Sequence, residues 1–61
     1  MKATLIIETM DNAAFEDNEA YETGRILKEL GNLLMRVSFN ERFDRDLYDI
    51  NGYRVGYITI E

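Results

Sequence analysis

The chain contains neither cysteine nor histidine. Without thiolates and imidazoles it cannot build a structural zinc site of the usual kind, a disulfide, or a nucleophile and general base drawn from those residues. Serine occurs once, at Ser38. Long apolar runs are missing as well: Leu5, Ile6 and Ile7 are the only strong apolar residues between Met1 and Ile7, too few for a signal-peptide core or a membrane span. A soluble protein in a reducing cytoplasm, with no membrane contact, is the expectation. Basic residues are also scarce. Seven stand against twelve acidic ones, for a net charge of −5, and none lies between Lys2 and Arg25. Each phosphate contact needs a Lys or Arg, so this balance speaks against direct binding of nucleic acid or anionic lipid and favours a partner with a basic surface.

At 61 residues the chain has room for one domain, residues 1–61. A domain this small buries only roughly 60% of its unfolded surface, and its core supplies only about 3–5 kcal/mol. Disulfides and thiolate or imidazole metal sites are excluded, which leaves association of two copies as the remaining support. A homodimer is therefore expected. A pair of carboxylates could do glycosidase-type chemistry, but that needs a cleft which so short a chain can hardly form. The expectation is a noncatalytic protein without a cofactor.

Ala3 to Thr9 reads as a strand whose Leu5 and Ile7 point one way and Ile6 the other. Apolar residues on both faces place it at the centre of a sheet, or at an edge covered by a second subunit. Met10 to Asp17 is a connector in which Phe15 reads either as a lid on the core or as an exposed anchor. Asn18 to Val37 carries a helical stripe of Ala20, Gly24, Leu27, Leu30, Gly31, Leu34 and Val37, widened by Tyr21, Ile26 and Leu33. Asp17 or Asn18 caps it, and acids cluster in its first turns. Gly24 and Gly31 are expected to admit a closely approaching backbone, either the domain's own sheet or a second subunit's helix. Ser38, Asn40 and Glu41 read as the turn out of the helix, with Phe39 ambiguous between core and surface.

Phe43–Ile50 and Tyr53–Ile60 flank Asn51-Gly52, a strong hairpin signature. Two registers remain open. A two-residue turn pairs Leu47 with Gly56 and Phe43 with Ile60. A type I turn opened by Asp49, with Gly52 left-handed, pairs Leu47 with Val55. Slipping between them decides whether Val55 and Tyr57, or Ile58 and Ile60, join Leu47 on one face. Gly56 marks a bulge or a close backbone approach. The fold class is α+β: a small βαββ domain with one helix packed on a three-stranded sheet that ends in the hairpin.

Three sets of residues are candidates for function. Glu16, Asp17, Glu19 and Glu22 form an acidic lobe, and Tyr48, Tyr53 and Tyr57 a tyrosine-rich face of the hairpin, both suited to a protein partner. Alternatively Arg25, Arg36, Arg42, Arg45 and Arg54 converge on a nucleotide-like ligand at a dimer seam. The stretch Asp44 to Gly52 superficially suggests a calcium loop. Aligned on Gly52, however, it puts Leu47 and Ile58 where ligands must stand, so that reading fails.

MKATLIIET, DNAAFED, the RIL of the helix and the closing DINGYRVG together resemble an uncharacterised family of short tailed-phage accessory proteins. The resemblance spans nearly the whole chain and rests on no catalytic motif. It implies a phage accessory protein acting in the host bacterial cytoplasm by binding and inhibiting or modulating a host protein, a defence protein among the possible targets. A ligand sponge and a minor virion component are the alternatives.

Overall fold

The computed structural model describes residues 1–40 and 42–61; Glu41, expected in the turn out of the helix, lies outside the described residues. The order of elements is β1 (Ala3–Ile7), a 3₁₀ turn (Ala13–Phe15), α1 (Glu19–Leu34), β2 (Phe43–Tyr48) and β3 (Arg54–Ile60). The domain is the expected α+β βαββ unit, a single helix on a three-stranded antiparallel sheet of order β1-β3-β2. Among the described residues no helix is long and apolar enough to cross a membrane.

The central strand is β3, and β1 is an edge. Apolar residues on both faces of β1 leave the centre and an edge both open, and β1 takes the edge. The centre goes instead to the strand that packs both its flanks and its inner face: Val55, Ile58 and Ile60 are all buried, and Gly56 lets β1 approach from the side. The odd residues of β1 share the inner face with Ile58 and Ile60, while Ile6 lies opposite Tyr57 on the open face.

The hairpin combines both candidate registers. Its turn is the type I turn opened by Asp49: the Gly52 N–H donates to the Asp49 carbonyl at 3.0 Å, and the Asp49 N–H donates to the Tyr53 carbonyl at 2.9 Å. Gly52 has φ +88°, the left-handed conformation this turn needs at its end. Tyr48 then pairs with Arg54, but Leu47 pairs with Gly56 and Phe43 with Ile60, so one residue is added to β3 between them. The bulge turns Val55 to the same side as Ile58 and Ile60, against the strict alternation of a regular strand. All three now meet Leu47 in one core. Phe15 is 1% exposed and lies in that core, so it is a lid and not an anchor. Phe39 packs at its margin with its ring centre 5.3 Å from that of Phe43.

Asn18 caps α1, its Oδ1 accepting the Tyr21 N–H at 2.9 Å. The helix ends at Leu34, short of Val37. Its buried residues are Glu22, Ile26 and Leu30, four apart, while Ala20, Tyr21, Gly24 and Leu27 face solvent. The inward line is therefore turned by about a quarter of a revolution from the expected stripe, close to the 100° step of one residue. Among the described residues a methyl group at Gly24 or Gly31 would meet nothing within 4 Å, which overturns the idea that these glycines admit the domain's own sheet. Gly24→Ala and Gly31→Ala are each expected to raise stability by about 0.5–1 kcal/mol, because helical glycine carries only an entropic cost where nothing needs the space. Urea titration of the single and double variants checks this.

Candidate functional site: the hairpin end

Among the described residues two acidic ones are buried, each only 4% exposed, Glu22 from α1 and Asp49 from the hairpin turn. Both fasten the hairpin turn. Arg25 donates from Nε to Glu22 Oε1 at 2.8 Å and from Nη2 to Oε2 at 2.9 Å, a two-pronged pairing between adjacent helix turns. The Ile50 N–H donates to the same Oε2 at 2.8 Å. Arg25 also reaches Glu29 Oε2 at 2.9 Å and the Tyr48 carbonyl at 3.4 Å. The helix thus grips the backbone of the turn on both sides of Asp49.

Asp49 works from within. Its Oδ1 accepts the N–H groups of Asn51 at 2.9 Å and Tyr53 at 3.0 Å, the side-chain mimic of a backbone turn. Its Oδ2 accepts Asn12 Nδ2 at 3.1 Å, which ties the connector after β1 to the same point. Among the described residues every buried side-chain nitrogen and oxygen has a hydrogen-bond partner.

The two carboxyls are both held below their ordinary range. For Glu22 the Arg25 guanidinium is the main cause, burial opposes it, and the Ile50 N–H adds to the lowering. For Asp49 burial pushes the carboxyl up, but the hydrogen bonds from Tyr53, Asn12, Asn51 and Gly52 together outweigh it. Both groups are therefore ionised at neutral pH.

What this lock holds in place is an exposed apolar and aromatic surface. Tyr48 is 52% exposed, Ile50 64% and Tyr53 66%. Tyr21, next to Glu22 on the helix, is 73% exposed. Glu16, Asp17 and Glu19 are exposed at the start of the same helix, beside the connector that Asn12 ties to the turn. The acidic lobe and two of the three tyrosines are thus brought to one end of the molecule. Glu22 is the exception within the lobe: it is turned inward and its carboxylate is used up by Arg25 and Ile50, so it offers no charge to a partner. Tyr57 stands apart, half-buried on the open sheet face, with the Arg54 guanidinium 5.7 Å above its ring.

The five arginines do not converge. Arg25 is spent on Glu22 and Glu29, Arg42 pairs with Asp44 at 3.0 Å, and Arg54 pairs with Asp46 at 3.0 Å and Glu8 at 3.2 Å. Arg36 and Arg45 line one groove, of about 210 Å³, between α1 and β2, floored by Ile26, Leu30 and Leu47. That volume is below the roughly 300–1,000 Å³ of ordinary small-molecule sites. Arg25 and Arg54 are occupied for a physical reason: each lies beside carboxylates within ion-pair distance, which a count of arginines along the chain cannot show.

Sequence reasoning missed Ile50 and Tyr21 as surface residues. For Ile50 a signal existed, since an apolar residue inside a three-residue hairpin loop has no sheet face to turn to. Comparisons of the chain with protein-family models, with curated proteins and with solved structures give no match.

Proposed function

We propose that this chain is a noncatalytic protein-binding module, a phage accessory protein that docks its hairpin end on a host bacterial protein in the cytoplasm and thereby inhibits or modulates it. The observation that supports this reading most is the pairing of exposure with rigidity. Tyr48, Ile50 and Tyr53 stand more than half exposed at the end of β2 and on the turn after it, whose backbone is fixed by two buried carboxylates. Large, stiff side chains already held in place lose little freedom on binding, so their contact area converts into affinity efficiently. Tyrosine suits such a surface because its ring is apolar and its hydroxyl can pair with water or a partner. The exposed acids at the same end favour a target with an apolar pocket rimmed by Lys and Arg, and a complex that weakens as salt screens the rim.

The test is capture of a partner from host lysate by wild type and by an Ile50→Asp/Tyr53→Ala variant. Both side chains are exposed, so the variant should keep the wild-type circular dichroism spectrum and melting curve. Wild type is expected to retain a basic protein at low salt and release it as salt rises, while the variant retains none. Equal capture by both proteins rules out the hairpin end, and no capture at low salt rules out the reading as a whole.

A further inference from the structure

We infer that β1 is the self-association edge of this protein, and that two copies join by antiparallel pairing of β1 with β1 about a two-fold axis at Leu5. This surface shares no residue with the hairpin end, so it stands apart from the host-binding reading.

The two edges of the sheet differ in kind. The β2 edge carries Asp44, Arg45 and Asp46 in succession, a charged run of the sort that blocks strand addition. The β1 edge carries Ala3, Thr4, Leu5, Ile6 and Ile7, with no charge and no proline. Leu5 is 40% exposed although it lies opposite Ile58 on the helix-covered face.

The backbone fixes which residues can pair. Lys2 and Glu61 exchange both of their backbone hydrogen bonds. In an antiparallel ladder such pairs alternate, so Thr4 and Ile6 also bond to β3. The N–H and C=O groups of Ala3, Leu5 and Ile7 therefore point to the free side, where among the described residues no strand lies. With the axis at Leu5, Leu5 exchanges bonds with the partner's Leu5, and Ala3 exchanges them with the partner's Ile7. About six backbone hydrogen bonds form, and they use the groups that are free.

Charge selects this register from its neighbours. It places Lys2 directly opposite the partner's Glu8, twice by symmetry, with only uncharged residues between. It also sets Ala3 against the partner's Ile7 on the inner face, small against large, and Thr4 against the partner's Ile6 on the open face. The strand is thus complementary to itself: basic at one end, acidic at the other, apolar between. The result is a continuous sheet across the two copies, with the helices on one side.

Single-cysteine variants test the register, because the chain has no cysteine of its own. Opposed residues in a hydrogen-bonded pair have Cα atoms about 5.5 Å apart, within the range a disulfide spans. The two copies of Ala3 would be about 13 Å apart, four residues out of step. Under mild oxidation Leu5→Cys is expected to form a linked dimer and Ala3→Cys to stay unlinked, with wild type sedimenting at twice its 7.2 kDa chain mass. Lys2→Glu should weaken association by at least about fivefold, and Lys2→Glu/Glu8→Gln, which removes the opposed like charges without setting a Lys beside Arg54, should recover part of that loss. A wild-type mass of 7.2 kDa at millimolar concentration overturns the inference. So does a dimer in which Leu5→Cys fails to link, since the copies would then meet on another face.

Discussion

Gly56→Ala is expected to abolish cooperative folding or to lower the melting temperature by more than about 10 °C. A methyl group at this position would overlap the Ile6 carbonyl and lie 2.8 Å from Ile7 Cα and 2.9 Å from the Ile6 carbonyl carbon. Every one of these atoms is backbone, and it belongs to the strand paired with Gly56 across the ladder, so no side-chain rotation relieves the clash. Forced overpacking costs about 1–3 kcal/mol where side chains can adjust, and here they cannot. Set against a core that supplies about 3–5 kcal/mol, and a change of about 4–8 °C for each kcal/mol in a domain of this size, that is most of the stability. A thermal melt followed by circular dichroism decides it, with Gly24→Ala as the control that should melt higher than wild type. A Gly56→Ala protein that melts within a few degrees of wild type would mean that β1 and β3 are not so closely apposed.

Glu22→Ala should have the second-largest effect, a loss of about 3 kcal/mol. Removing one partner of a buried pair leaves the other unmatched, and such deletions cost about 3–5 kcal/mol; the partly exposed Arg25, which keeps Glu29, places this one at the lower end. The Ile50 N–H also loses its acceptor. Glu22→Gln keeps an oxygen for Ile50 but removes the charge that Arg25 faces, and should fall between the two in urea titration.

Acid provides an independent check of the same pair of carboxylates. Both are held below the ordinary values of 4.5 for Glu22 and 3.8 for Asp49, so their stabilising contribution is complete above those values. It is lost as pH falls through the lowered values in the folded state, because the unfolded chain then takes up protons first. Stability of wild type should decline from about pH 4.5 downward, and Glu22→Gln should decline less over the same interval.

The sequence pattern carries the architecture well. Period-two runs, the Asn51-Gly52 turn and the capped helix lead directly to βαββ, because each is a local signal with a local cause. Less visible is everything that depends on pairs distant along the chain. Glu22 reads as one more acid near a helix start, a place where acids are favoured in solvent. Its place four residues before Ile26 and eight before Leu30 puts it on the inward line, yet its second partner, the Ile50 N–H, comes from 28 residues away. The hairpin register is open in the sequence for a related reason. The turn chemistry and the burial pattern favour different pairings, and a bulge at Val55 satisfies both. Gly24 and Gly31 are no guide, because small residues resemble a contact surface whether or not anything touches them, and here nothing among the described residues does. Of the candidate site, Tyr48, Tyr53 and the exposed acids were legible as residue types suited to a partner. Their gathering at one end was not, since it depends on the link from Asn12 to Asp49, 37 residues apart.

Amide hydrogen exchange of Ile50, Asn51 and Tyr53 measures the rigidity of the hairpin end. Exposed turn amides ordinarily exchange near the unstructured rate. Here the Ile50 N–H is bonded to Glu22, and those of Asn51 and Tyr53 to Asp49. All three should exchange at least about 100-fold more slowly than an unstructured chain, with Ile50 losing its protection in Glu22→Ala. Exchange of these amides at unstructured rates in the wild-type protein would mean that Glu22 and Asp49 do not hold the turn rigid.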